Sequence, residues 1–274
     1  MGVTADQERA FFDRVYSQHL SRPDHELAVN RRIMLAALEN PAQPAWERRL
    51  LYRRVWEELA RLPLAEMNVL DYGCGPGDWG VLLATEGARV TLLDLSPAAI
   101  ELGLRRARAS GVADRVSGVA RDGSNLDCFA DGEFDLVFAS AALHHVLKYG
   151  PAVDELVRVI APAGRLVLAE TLGDNPLLNA ARRLRARLAG EEEAQGEGIL
   201  IGEAEIEMLR GRFRTVDVYP MNLLAMAKRL FRGRFTRRGV RTFLGVLEAA
   251  DRFLVGRFPS LRRYCGEAVI VARK

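Results

Sequence analysis

Three glycines at alternate positions, Gly73, Gly75 and Gly77, follow an acid, Asp71, that closes a short apolar run through Val69 and Leu70. The run reads as a buried strand, and Trp79, Val81, Leu82 and Leu83 open a helical pattern directly after the glycines. Glycine lets the chain turn sharply and lets a ligand approach the backbone with no Cβ in the way. A second strand, Val90 to Asp94, ends in another acid about twenty residues on, where a carboxylate can bond both hydroxyls of a ribose. Strand, glycine turn, helix and distal acid form the outline of a nucleoside-binding β-α unit. Two ligands fit that outline. A dinucleotide takes Gly-x-Gly-x-x-Gly with its pyrophosphate on the helix N-terminus. Here the third glycine comes one position early, and Asp71 would repel a pyrophosphate. A ligand carrying an ammonium and a sulfonium suits Asp71 instead.

Asp71-x-Gly-x-Gly-x-Gly77 followed by strand and Asp94 resembles the first motif and the ribose-binding acid of the class I S-adenosylmethionine (SAM) dependent methyltransferases. The resemblance implies an α/β fold with a Rossmann-like, seven-stranded, mostly parallel sheet, and SAM as cofactor with S-adenosylhomocysteine as product. It places Asp71, Gly73, Cys74, Gly75, Gly77, Asp94 and Leu95 around the cofactor, with Cys74 a small filler rather than a nucleophile. Asp122, after a third strand near Arg115 to Arg121, matches the acid that bonds the adenine amine, and the backbone at Gly123 would meet the ring. Ser140, beyond the fourth strand, belongs to the same set. Tyr16, in the N-terminal segment, is an aromatic that can touch the cofactor.

Phe134-Asp-Leu-Val-Phe138 leading to Leu143-His144-His145 resembles the small-molecule subgroup typified by the quinone-ring enzymes. The Asn/Asp-Pro-Pro-Tyr motif of enzymes that methylate base amines is absent, and Pro162-Ala163-Gly164 stands where the family has Pro-Gly-Gly. A transferase of this kind holds acceptor, methyl and sulfur in line. A hydroxyl acceptor also needs a base. His144 or His145, paired with Glu170 at the end of the neighbouring strand, is the expected base, and O-methylation the expected reaction. C-methylation of an activated ring is the alternative. An NAD(P)-binding oxidoreductase and a non-catalytic SAM-binding protein are rivals from other classes.

The elements that must position these residues follow the chain. Residues 1–64 read as helical, through Phe11, Phe12, Val15 and Tyr16 and later Trp46, Leu50, Val55 and Trp56, and would pack on the sheet or act as a lid. Residues 65–274 form the SAM-binding domain, alternating strand and helix. The sixth strand is expected at Thr215 to Tyr219 and the seventh at Gly266 to Ala272. The resembling fold inserts the seventh antiparallel between five and six. Arg105, Arg106 and Arg108 read as a solvated face on the helix begun by Ser96-Pro97. Two insertions, about 174–200 and 220–263, are expected to cap the acceptor. The first holds a basic helix, Leu177 to Leu188, and then Gly190 to Gly198, which reads as a mobile loop.

The 274 residues are 49% apolar, enough for a large core, and the net charge of +3 is too small to imply nucleic acid as a partner. Cys74, Cys128 and Cys265 have no metal spacing, His19 and His25 no ligand partner, and no metal is expected. No run reaches the ~18–20 apolar residues of a membrane span, and the N-terminus lacks an apolar signal core, so a cytoplasmic location is expected. Thirteen Lys and Arg stand against three acids over 220–274, clustered at 228–241. That cluster suits an anionic acceptor, peripheral contact with an anionic membrane, or a solvated face. The expected partner is a small-molecule acceptor, apolar or anionic.

Overall fold

The computed structural model describes residues 4–146, 152–189 and 200–274. The expected loop at 190–198 lies outside the described residues. Helix α1 (Ala5–Ser17) starts at a capping box, in which Thr4 Oγ1 accepts from the Gln7 N–H and Gln7 Oε1 accepts from the Thr4 N–H. Helices α2 (Arg31–Glu39) and α3 (Arg49–Leu59) complete the N-terminal segment. Then β1 (Asn68–Tyr72), α4 (Asp78–Thr85), β2 (Arg89–Asp94), α5 (Pro97–Ala109) and β3 (Val116–Ala120) alternate. They are followed by β4 (Phe134–Ser140), α6 (Leu143–Val146), α7 (Ala152–Val159) and β5 (Ile160–Thr171). The remainder is α8 (Pro176–Ala189), α9 (Glu203–Arg210), β6 (Thr215–Met221), α10 (Arg238–Arg257) and β7 (Glu267–Arg273).

The seven strands lie in the order β3-β2-β1-β4-β5-β7-β6, with β7 antiparallel to both neighbours. The strands read as near-continuous apolar runs because both faces are covered. Successive residues point to opposite faces. Val69, Leu136, Val167 and Val269 therefore join one core with Leu51, Val55 and Val81, while Leu70, Val137, Leu168 and Ile270 join the other with Leu156, Leu209 and Phe213. β5 runs through Pro162-Ala163-Gly164. Ile160 pairs with Phe134, the register then shifts, and Arg165 pairs with Leu136, so Pro162-Ala163-Gly164 forms an irregularity within the strand rather than a turn before it. Strand order reverses between β1 and β4, the switch point where open α/β sheets bind ligands beyond the carboxyl ends of their strands.

Two of the three arginines of α5 differ from expectation, while Arg108 is exposed as expected. Arg106 is buried, donates from Nε to Pro76 O (2.9 Å) and from an Nη to Leu27 O (3.0 Å), and pairs with Asp78. Arg105 fastens the segment after α1 through Asp24, Leu20 O and Arg22 O. Arg106 is thus withdrawn from solvent, and Arg105, partly exposed, is tied by its partners. They hold the N-terminal segment to the domain.

Candidate active site

Gly73, Gly75 and Gly77 all have left-handed backbone, φ +63°, +51° and +74°, which a side chain would strain. The turn is tied to β2 by Cys74 N–H to Leu93 O (2.9 Å). The Asp94 carboxylate accepts from the Gly75 N–H (2.8 Å) and the Ser96 N–H (2.9 Å), so it faces both the glycine turn and the start of α5. Asp71 accepts from the Gly80 N–H (2.8 Å) in the first turn of α4. Burial pushes its carboxyl up to about 7, reinforced by the charges of Asp94 and Asp78 and opposed by the Gly80 bond. Burial also raises the Asp94 carboxyl and the Cys74 thiol, which leaves Cys74 protonated and inert.

A cavity of about 920 Å³ opens over this turn. Tyr16, Asp71, Gly73, Cys74, Gly75, Asp94, Leu95, Asp122, Gly123, Ser140 and His145 all line it. Gly77 does not. A Cβ there would lie 2.9 Å from Gly103 Cα, so Gly77 serves the close approach of the turn to α5. Asp122 closes its own turn by accepting from the Ser124 N–H (2.8 Å). Tyr72, which sequence reasoning left without a role, donates its hydroxyl to Gly123 O (2.8 Å) and sets that loop.

The cover over the cavity comes from the N-terminal segment. Glu8, Phe12 and Tyr16, four residues apart on α1, face it together. A Cβ on Gly75 would come within 2.8 Å of the Tyr16 hydroxyl, so that side chain rests on the glycine turn. Asp13 anchors α1 by accepting from Ser96 Oγ and the Ala98 N–H at the start of α5. On another wall, Trp79 packs on Phe138 (5.2 Å between ring centres) and Tyr52 (5.5 Å), and the Arg48 guanidinium lies over Tyr52 (5.5 Å). Among the described residues, neither insertion lines the cavity, contrary to the expected cap. The second insertion spends its inner apolar face elsewhere. Phe235 and Leu244 pack on Trp46, with Phe231, Val240 and Leu247 around them.

The expected histidine–carboxylate pair forms, but inside the core. His144 Nδ1 lies 2.7 Å from Glu170 Oε2. Glu170 is 0% exposed, and its other oxygen accepts from the Ala142 (3.1 Å) and Leu143 (2.9 Å) N–H groups. Glu170 thus fastens the loop after β4, where Ala141 sits at φ +54°, a strained position with no signal in the sequence. His145 is the histidine that reaches the cavity. Its ring lies 4.2 Å from that of His144 and meets Phe12 edge-on at 5.7 Å, and its Nδ1 is 3.8 Å from Glu8 Oε1. Glu8 and Arg48 are site residues that local pattern reading missed, because only the tertiary fold brings them to the cavity. Among the described residues no group of His, Cys, Asp and Glu could hold a metal ion.

The donor set fits SAM. Side-chain-free glycines leave room at the turn, and Asp71, Asp94 and Asp122, the acids expected to meet ammonium, ribose and adenine, all line the one cavity. A methyltransferase domain family matches residues 69–164. The chain is 38% identical over 117 residues to the demethylmenaquinone methyltransferase of Clavibacter sepedonicus, covering 43% of this chain and 46% of that protein. It is 35% identical over 122 residues to the 27-O-demethylrifamycin SV methyltransferase of Amycolatopsis mediterranei (strain S699), covering 43% and 44%. The chain thus spans about half the length of the curated relatives it matches. The fold matches the geranyl diphosphate C-methyltransferase of Streptomyces coelicolor A3(2), crystallised with Mg2+, geranyl diphosphate and S-adenosyl-L-homocysteine. That match has a TM-score of 0.61 at 16% identity and covers 98% of this chain and 97% of that one. Residues 69–164 therefore match the methyltransferase domain family, on a fold shared with a solved C-methyltransferase.

Proposed function

We propose that the protein methylates a hydroxyl of a small, largely apolar acceptor, with His145 as the base. The observation that carries this reading is the placement of His145 in the cavity wall while His144 turns into the core against Glu170. SAM, when bound, supplies a methyl group on a good leaving group, so the chain itself must align the acceptor and manage one proton. His145 accepts the hydroxyl proton, and Glu8, 3.8 Å from Nδ1, steadies the resulting imidazolium. Arg48 offers a fixed positive charge to the oxygen as it ionises. Its side chain is 22% exposed and lines the same cavity. Tyr52, Trp79 and Phe138 give a flat ring an aromatic wall.

The wall also favours a second reading, C-methylation of a hydroxylated ring. The first of the two relatives described above is named for a quinone precursor, the second for an O-demethyl compound. Deprotonation by His145 serves both, since a ring oxyanion can react at oxygen or at the adjacent carbon.

The test supplies methyl-labelled SAM and a panel of hydroxylated quinols, phenols and polyketides, and locates the label by carbon NMR. A methoxy signal establishes O-methylation and a ring-methyl signal the second reading. In either case His145→Ala should lower turnover roughly 10²–10⁴-fold, the usual worth of a general base, with SAM affinity unchanged. Full activity in that variant would remove the base assignment.

A further inference from the structure

Helix α10 buries one side, and the middle of the other, between Arg238 and Arg257, carries an uncharged line. Leu244 and Asp251 are buried on its inner side, Leu244 packing with Trp46 and Phe235. On the outer side Thr242, Val246, Ala249 and Phe253 fall on one line at helical spacing, with Gly245 and Gly256 beside them. Val246 is 61% and Phe253 68% exposed. Leu230, in the preceding 3-10 turn whose Phe231 ring packs on Phe243 (5.7 Å), is 78% exposed. A helix apolar on both sides normally has something on both sides.

The surrounding charge says what. Arg234, Arg237, Arg238, Arg252 and Arg257 are exposed around this face. The three acids of residues 220–274 are all committed inward. Glu248 pairs with Arg49, Asp251 accepts from the Leu224 (2.7 Å) and Ala225 (3.0 Å) N–H groups, and Glu267 accepts from Lys228 (2.7 Å). The basic run at 228–241 is correspondingly thinner than its sequence implies, since Lys228 is buried and Arg232 holds Glu47. A second copy of the chain would set arginine against arginine across this face.

We propose that the outer face of α10 docks on an anionic lipid bilayer, with Val246, Phe253 and Leu230 entering the headgroup layer and the surrounding arginines meeting lipid phosphates. Among the described residues no helix is long and apolar enough to cross a membrane, so the contact is peripheral. Trp46, which carries the inner face of the insertion, neighbours cavity-lining Ala45 and lies two residues from Arg48, so docking brings that wall of the cavity toward the bilayer. This goes beyond the proposed reaction and does not depend on the acceptor.

The test is co-sedimentation of the full chain with vesicles of phosphatidylcholine alone and of an equal mixture with phosphatidylglycerol. The wild type should sediment with the mixed vesicles and not with phosphatidylcholine, and lose binding as salt rises. Each arginine near an anionic surface is worth about fivefold in partition. Arg234→Gln, Arg237→Gln and Arg238→Gln together should therefore weaken binding roughly a hundredfold. Val246→Ser with Phe253→Ser should weaken it at least about tenfold, from the lost apolar burial. Both variants change exposed side chains, and unchanged SAM affinity certifies their fold. No sedimentation with the mixed vesicles overturns the proposal. So does full binding by the serine variant, which would mean adsorption by charge alone. A wild-type dimer in sedimentation velocity that the serine variant turns to monomer would assign the face to a second copy instead.

Discussion

Asp71 is a buried acid at the site whose ionisation falls near neutral pH. Its carboxyl, ordinarily near 3.8, is pushed up to about 7 by burial. Because the folded value is raised, the stability that protonated Asp71 contributes is fully present below 3.8 and is lost as pH rises through about 7. An ammonium nearby favours the ionised form, so SAM binding has the opposite slope. Calorimetric titration should show wild-type affinity for SAM rising, relative to Asp71→Asn, as pH climbs through about 7. Thermal melts of the ligand-free proteins should show the wild type losing stability over that window while Asp71→Asn does not. Parallel pH slopes for the two proteins in both measurements would dissociate Asp71 from the ammonium.

Among the elements, α1 is the one whose position the site depends on most, and its anchor is a single carboxylate. Asp13 reaches across to Ser96 and Ala98 and caps α5 from outside. Loss of such a cap costs about 1 kcal/mol. Asp13→Ala should speed hydrogen exchange across residues 5–17 while β1 amides stay protected, and SAM affinity should fall several-fold as Tyr16 leaves the glycine turn. Unchanged protection in α1 would locate the anchor elsewhere, Arg105 being the next group in line. Legibility divides along the same boundary. The glycine turn, Asp94, Asp122 and the Leu-His-His loop were readable because each element carries its own local signature, an apolar run closed by a turn. Glu8, Phe12 and Arg48 were not, since periodicity shows that a helix has an apolar side but not which opening that side covers. The same gap leaves the cover divided in sequence between the N-terminal segment and the insertions, and among the described residues the N-terminal segment lines the cavity and the insertions do not. It also misread Arg105 and Arg106, whose carbonyl partners at Leu20, Arg22 and Leu27 are more than seventy positions away in the chain. Sequence does not distinguish the two histidines, whose different placement follows from Glu170 holding His144 Nδ1 and the preceding backbone amides.

On the scale of the whole molecule, Glu267 joins three parts of the chain. It sits 1% exposed at the start of β7 and accepts from Lys228 (2.7 Å) and Asn222 (2.6 Å) of the second insertion, with Arg48 of the N-terminal segment 3.4 Å away. Burial alone would raise its carboxyl, but Lys228 and Arg48 outweigh burial and hold it below the usual range. Removing it strands two cations, and breaking a buried pair costs roughly 3–5 kcal/mol. Glu267→Ala should lower the urea midpoint accordingly, and a change below about 1 kcal/mol would mean that water already screens the group. The cover of the cavity also has a consequence for how such a protein changes over generations. The part of the N-terminal segment that lines the cavity lies before residue 53, and the stretch matched by the methyltransferase domain family begins at Val69. The cover, with Glu8 and Arg48, and the floor, with the glycine turn and His145, are therefore encoded as separate, contiguous stretches of sequence. One crossover between them can set a different cover on the same floor.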